Sequence, residues 1–224
     1  MKILLASGNQ GKLKEIREMT SHLSVQWESL SSLAGFVMPE ETGKTFVDNG
    51  ILKAGAAAVA SGLVSIGEDS GLCVDALDGG PGIYSARFAG EHGNNEANND
   101  KLIESLADVP LENRGAHYAC AMAVVFPESK LRGAPNVGPG CQLITENEFL
   151  PSGHLAWVTE GQVQGRILRE RAGTGGFGYD PLFYYPDFGK TFAQSSSEAK
   201  NKVSHRSQAM GRFLNWLSGS PLQF

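Results

Sequence analysis

Lys2-Ile3-Leu4-Leu5-Ala6-Ser7-Gly8-Asn9-Gln10-Gly11-Lys12-Leu13-Lys14-Glu15-Ile16-Arg17-Glu18-Met19 is the stretch on which the fold class turns. Ile3 to Ala6 reads as a short buried strand, a glycine-bearing turn follows, and Leu13 to Met19 carries apolar residues at helical spacing. Strand, glycine turn and helix open an α/β unit. Further along, Thr45 to Ala60 is the strongest helix, with Phe46, Ile51, Leu52, Ala54 and a run of alanines closed by Ser61-Gly62. Leu63 to Gly67 and Leu72 to Ala76 read as strand segments on either side of Glu68-Asp69-Ser70-Gly71. Asn98 to Leu106 reads as a helix and His117 to Phe126 as an apolar strand. Pro127 to Gly153 holds four prolines and four glycines, which makes it a long loop or an extra hairpin before the strand pattern resumes at Trp157. The chain then runs through Gly173 to Pro181 to a last helix, about Ser204 to Leu217. No repeat or low-complexity break divides it, so residues 1–224 are expected to form one domain with an insertion at about 127–153.

Composition bounds what such a chain can do. A chain of 224 residues buries roughly 70% of its unfolded surface and needs no staples. Hydrophobic residues at 41% and charged residues at 19% exclude wholesale disorder. With 19 basic against 24 acidic side chains the net charge is −5, which argues against nucleic acid as a partner. The 28 glycines are well above the usual ~7% and point to tight turns or close backbone approaches to a ligand. Cys73, Cys120 and Cys141 are too few and too widely spaced for a disulfide framework or a zinc site, which suits a reducing compartment. The opening apolar run is too short for a signal peptide, and no stretch approaches the ~18 apolar residues of a membrane span. A cytoplasmic protein without a membrane partner is expected.

Four motifs carry chemistry. Ser7 to Lys12 combines glycines that let backbone N–H groups face an anion, a following helix N-terminus and a lysine charge. It is not a Walker A loop, because Ala6 and Leu13 stand where that pattern needs Gly and Ser or Thr; an ordinary βα loop would read the same. Gly173, Gly175 and Gly178 match the dinucleotide fingerprint, but Pro181 prevents the helix that motif must open. Glu40-Glu41 and Glu68-Asp69 are hard-oxygen pairs suited to Mg²⁺ or to general-base work. Solvated surface explains either pair alone, although Glu68-Asp69 sits at a strand end between apolar segments. Phe177-Gly178-Tyr179-Asp180, with Lys200, Lys202, His205 and Arg206, offers a base a stacking ring and polar groups for its edge. The aromatics by themselves read better as a hairpin packed in the core. Charge also segregates: Phe36 to Gly80 holds seven acidic and two basic residues, and Gly189 to Arg212 one acidic and five basic. That pattern suits a metal–polyphosphate ligand, and two solvated faces would produce it too.

In order, SGNQGKLKEI at 7–16, EETGKTFVDNGILKA at 40–54, EDSGLCVDAL at 68–77, GPGIYSARFAG at 80–90, GTGGFGYDPLF at 173–183 and EAKNKVSHRSQA at 198–209 span nearly the whole chain. Together they resemble the inosine triphosphate pyrophosphatases, also described as non-canonical purine NTP or dITP/XTP pyrophosphatases. The resemblance implies an α/β fold with an elongated mixed β-sheet, flanking helices and two lobes around a central cleft, usually as a homodimer. It implies Mg²⁺-dependent hydrolysis of ITP, dITP or XTP between the α- and β-phosphates, giving the monophosphate and pyrophosphate. In that light Ser7, Gly8, Asn9, Gln10, Gly11 and Lys12 would hold the triphosphate. Glu40 and Asp69 would bind Mg²⁺, Asp69 would also activate the attacking water, and Glu41 and Lys53 would support them. Ser70 would touch the substrate, Phe177 would stack on the base beside Gly178 and Tyr179, and Asp180, Lys200, His205 and Arg206 would line its edge.

The chain departs from the family pattern twice: Glu68 stands where an aspartate is common, and Pro127 to Gly153 is longer than expected. A nucleotide pyrophosphatase for other modified bases and a non-catalytic nucleotide-binding module are the alternatives. The carboxylates near the phosphate loop count against the second.

Overall fold

The long strand β4 (Gly115–Pro127) explains why this chain needs so many apolar runs. Its residues Cys120, Met122, Val124 and Phe126 enter one buried cluster while Ala123 and Val125 enter another. Side chains alternate across a strand, so a strand covered on both faces reads as a continuous apolar segment. β1 (Lys2–Leu5) behaves likewise, with Ile3 and Leu5 on one side and Leu4 and the following Ala6 on the other.

The computed structural model describes residues 2–8, 10–21, 25–131 and 137–218. After β1 come α1 (Gln10–Thr20), β2 (Gln26–Ser29), α2 (Phe46–Ser61), β3 (Val64–Val74) and α3 (Asn95–Ser105). β4, β5 (Cys141–Ile144), β6 (His154–Ile167), β7 (Phe183–Tyr185), β8 (Lys190–Thr191), α4 (Ser197–Val203) and α5 (His205–Ser218) complete the order. The strands form one sheet in the order β2-β1-β3-β4-β6-β7-β8, with β5 paired to β6 off that path. β1 is parallel to β2 and β3, whereas β6–β7, β7–β8 and β5–β6 are antiparallel. The sheet is mixed, as the resemblance implied.

The chain divides into two compact units. One comprises residues 1–69, 120–160 and 208–224, and the other residues 70–119 and 161–207. The first is built on Ile3, Leu5, Leu13, Ile16, Met122, Val124, Phe126, Trp157, Phe213 and Trp216, all buried together. The second is built on Leu72, Val74, Leu102, Leu106, Tyr118, Ile167, Phe183 and Phe192. Burying a side chain of this size contributes roughly 1.5–3 kcal/mol relative to leaving it exposed.

Helix α2 does most to place the polar residues of the first unit. Thr45 caps it, accepting from Asp48 N while the Asp48 carboxylate accepts from Thr45 N, and Gly62 ends it. Its small residues let it lie against β3: a Cβ at Gly67 would stand 2.7 Å from Ala54 N, so only glycine permits this approach.

Three expectations change. β3 runs unbroken through Glu68-Asp69-Ser70-Gly71 instead of stopping on either side of it. Those residues are poor strand formers and lie beyond the Val64–Ile66 stretch that pairs with β1, but β4 on the other side and near-complete burial outweigh propensity. The 127–153 segment resolves toward the hairpin, since Cys141–Ile144 pairs with β6. A separate helix, α4, precedes the last one, its N-cap Ser196 accepting from Ala199 N.

Candidate active site

In the first unit, parallel register sets the geometry. Leu5 of β1 pairs with Ile66 of β3, and Ala6 N donates to Ile66 O at 2.8 Å. The chain leaving β1 through Ser7 and Gly8 therefore emerges at the level of Gly67 to Asp69. Ligands in open α/β sheets bind outside the carboxyl ends of such strands. Ser7 and Gly11 are half-buried, and α1 starts at Gln10. Asn9 lies outside the described residues, as do the side chains of Gln10 and Lys12.

At that strand end Lys53 Nζ lies 2.7 Å from Glu41 Oε1 and 3.0 Å from Asp69 Oδ1. The other Asp69 oxygen accepts from Asn49 Nδ2 at 3.1 Å. Lys53, Glu68 and Asp69 are buried, Glu41 is half-buried and Glu40 exposed. Burial disfavours the Lys53 ammonium, but the charges and hydrogen bonds of Asp69 and Glu41 outweigh it and raise its pKa. Lys53 thus stays a cation bridging Glu41 and Asp69.

The second unit gathers another set. Asp180, 1% exposed, receives Lys200 Nζ at 2.7 Å and the Phe177 backbone N–H at 2.9 Å on one oxygen. Tyr118 donates to its other oxygen at 3.4 Å. Lys200 also lies over the Phe177 ring at 4.6 Å, and Arg206 at 5.9 Å. Arg206 Nη2 donates to Ser70 Oγ at 3.2 Å, and the His205 ring stacks on Tyr118 at 4.9 Å. Ser204 caps α5 through Ser207 N, which fixes where His205 and Arg206 begin. Burial, then the Asp180 charge, push the Tyr118 hydroxyl well above its ordinary pKa and keep it a neutral donor.

Most of the expected residues of this unit are thus brought together, though not in one capacity; Lys202 is not among them, being exposed and paired with Glu198 Oε1 at 2.9 Å one turn back on α4. Asp180 and Lys200 form a buried ion pair that holds Phe177 from below its own turn. Tyr179 is 3% exposed and spends its hydroxyl on Ser85 O at 2.8 Å. Gly178 offers its carbonyl to Asn99 Nδ2 at 2.9 Å. Phe177 itself stays half-buried.

Sequence reasoning missed Asn49, Asn99 and Tyr118. Asn49 and Lys53 are one helical turn apart in an otherwise small and apolar helix, a spacing that marks a shared face. Asn98-Asn99 breaks the apolar face of α3. Nothing in the sequence distinguishes Tyr118 from its core neighbours.

The first unit thus holds a lysine-bridged carboxylate cluster near the carboxyl end of β1, and the second holds an ion-paired aromatic and cationic cluster. The Ham1 family profile matches residues 3–216. A dITP/XTP pyrophosphatase from Desulforamulus reducens is 42% identical over 218 residues, covering 97% of this chain and 96% of the relative. A dITP/XTP pyrophosphatase from Shigella flexneri is 42% identical over 216 residues, covering 96% and 98%. Among solved structures, a HAM1 protein from Coxiella burnetii superposes with a TM-score of 0.79 at 33% identity, covering 98% of this chain and 100% of that one. The Staphylococcus aureus Ham1 protein gives 0.78 at 37% identity, covering 98% and 99%. The chain belongs to the Ham1 family.

Proposed function

We propose that this protein is a pyrophosphatase that hydrolyses non-canonical purine nucleoside triphosphates, dITP, ITP and XTP, to the monophosphate and pyrophosphate. The observation that carries the reading is the Glu41–Lys53–Asp69 cluster near the carboxyl end of β1, with Asp69 inside β3, in a chain whose full-length relatives bear that activity in their names.

Phosphoryl chemistry asks a protein chiefly for positioning and charge neutralisation. Ser7 to Lys12 would hold the triphosphate through backbone N–H groups and the lysine charge. Asp69, ion-paired with Lys53, would take the proton of the water that attacks the α-phosphorus as the bond to the β-phosphate oxygen breaks. The hard oxygens of Glu40 and Asp69 suit Mg²⁺. Among the described residues no three His, Cys, Asp or Glu side chains form a cage for it, so ligand phosphates would complete its shell. When bound, Mg²⁺ would neutralise phosphate charge and make the water easier to deprotonate.

Selectivity follows from the donors of the second cluster. Hypoxanthine and xanthine carry a carbonyl at C6 where adenine carries an amine. A guanidinium only donates, and an imidazole can donate, so Arg206 and His205 favour the carbonyl edge. Sites built to bond one polar edge can reject the analogue that lacks it by ~10⁴ or more. The family likeness further supports a homodimer acting in the cytoplasm; no helix of the described residues is long and apolar enough to cross a membrane.

The test is Asp69→Asn. Purified wild type should release pyrophosphate, not orthophosphate, from dITP, and the variant should bind nucleotide without turning it over. Near-normal kcat in the variant would overturn the assignment of Asp69.

A further inference from the structure

Asn49 is fully buried, and both ends of its amide are committed. Its Oδ1 accepts from the Gly43 backbone N–H at 2.9 Å, and its Nδ2 donates to Asp69 Oδ2 at 3.1 Å. The orientation of the amide is settled by its partners, since a backbone N–H can only donate and a carboxylate only accept. One turn along α2, Lys53 takes the other Asp69 oxygen at 3.0 Å. Asp69 therefore meets two donors from one helix face, one on each oxygen, which fixes the rotation of its carboxylate plane. Gly43 is matched to this contact: a Cβ there would stand 2.6 Å from Asn49 Oδ1 and 2.6 Å from Asp48 Cβ. Through Gly43 the same amide also fixes the end of the segment that carries Glu40 and Glu41.

We propose that Asn49 is a positioning residue of the hydrolytic reaction. It holds the Asp69 carboxylate plane at the angle the chemistry needs and ties the Glu40–Gly43 segment to Asp69 in one register. Asn49 touches no reacting atom, so its contribution is geometric. This rests on the pyrophosphatase reading, which it deepens.

Two variants separate positioning from packing. Asn49→Asp keeps the shape and the acceptor for Gly43 but sets a carboxylate against Asp69, whereas Asn49→Ala removes both bonds. Kinetics on dITP, melting temperatures and crystal structures would be compared with wild type. A misplacement of about 1 Å at a reacting group costs on the order of 10²-fold in rate. Both variants should therefore lose about 10²-fold in kcat with KM little changed, and both structures should show the Asp69 carboxylate rotated. A packing role alone predicts a lower melting temperature for Asn49→Ala and near-normal kcat for folded Asn49→Asp. That result, or an unmoved Asp69 in either variant structure, overturns the proposal. Should neither variant fold, Gly43→Ala crowds Asn49 Oδ1 from outside the helix and must give the same kcat loss and Asp69 shift. If wild type itself fails to hydrolyse dITP, the functional reading falls, while the position of Asp69 in the variant structures still decides whether Asn49 sets it.

Discussion

Replacing Lys53 with methionine keeps an unbranched stem and deletes only the charge on which the carboxylate cluster depends. The ammonium stands 2.7 Å from Glu41 and 3.0 Å from Asp69, with side-chain exposures of 8% for Lys53, 8% for Asp69 and 24% for Glu41. Removing one member of a buried pair costs about 3–5 kcal/mol, because a charge is left uncompensated. Glu41 keeps more contact with water, so Asp69 carries most of that cost. In wild type the raised Lys53 pKa means that its contribution is fully present below its unfolded pKa and is lost only as pH rises through the folded value. The deficit of Lys53→Met should thus be about 3–5 kcal/mol at pH 7 and shrink only as pH rises through the folded Lys53 value. Urea unfolding followed by tryptophan fluorescence, with both proteins compared at each pH, reads it directly. A variant as stable as wild type at pH 7, or a deficit that shrinks between pH 7 and pH 5, would refute the reasoning.

Other outcomes follow from the second cluster. Arg206→Ala should lower kcat/KM for ITP more than for ATP, by about 1–3 kcal/mol for one lost polar contact. Lys12→Ala should depress both substrates alike; an equal loss for both in Arg206→Ala would make Arg206 a phosphate clamp. Tyr118 and Tyr179 are both buried with raised pKa values, chiefly through burial. Their stabilisation should be intact below the unfolded value of about 10 and fall above it by about 1.4 kcal/mol per pH unit for each tyrosine. Urea midpoints that hold steady from pH 9 to pH 11 would contradict that.

Much of this is legible in the sequence where periodicity and chemistry coincide. The Lys2 to Met19 stretch announces strand, turn and helix because apolar spacing changes within a few residues. Thr45 and Gly62 announce the limits of α2 through capping chemistry. Glu68 to Gly71 is misread because strand propensity is local, whereas the neighbouring strand β4 and the burial that favour a strand there come from distant sequence. The site divides along the same line. Asp69 and Lys53 are readable as residue types, but the bridge between them depends on α2 lying against β3 at Gly67. Lys200 reads as a basic residue for a base edge, and only the fold shows it committed to Asp180. Asn49 leaves a faint trace, its helical spacing to Lys53.

The central claim is a pyrophosphatase selective for purines with a C6 carbonyl over adenine. Its most direct test is initial rates of pyrophosphate release from dITP, ITP, XTP and ATP, each with Mg²⁺ and with EDTA. The account predicts rapid release from dITP, ITP and XTP with Mg²⁺, little from ATP, and none with EDTA. Equal rates on ATP, or full activity with EDTA, would contradict it.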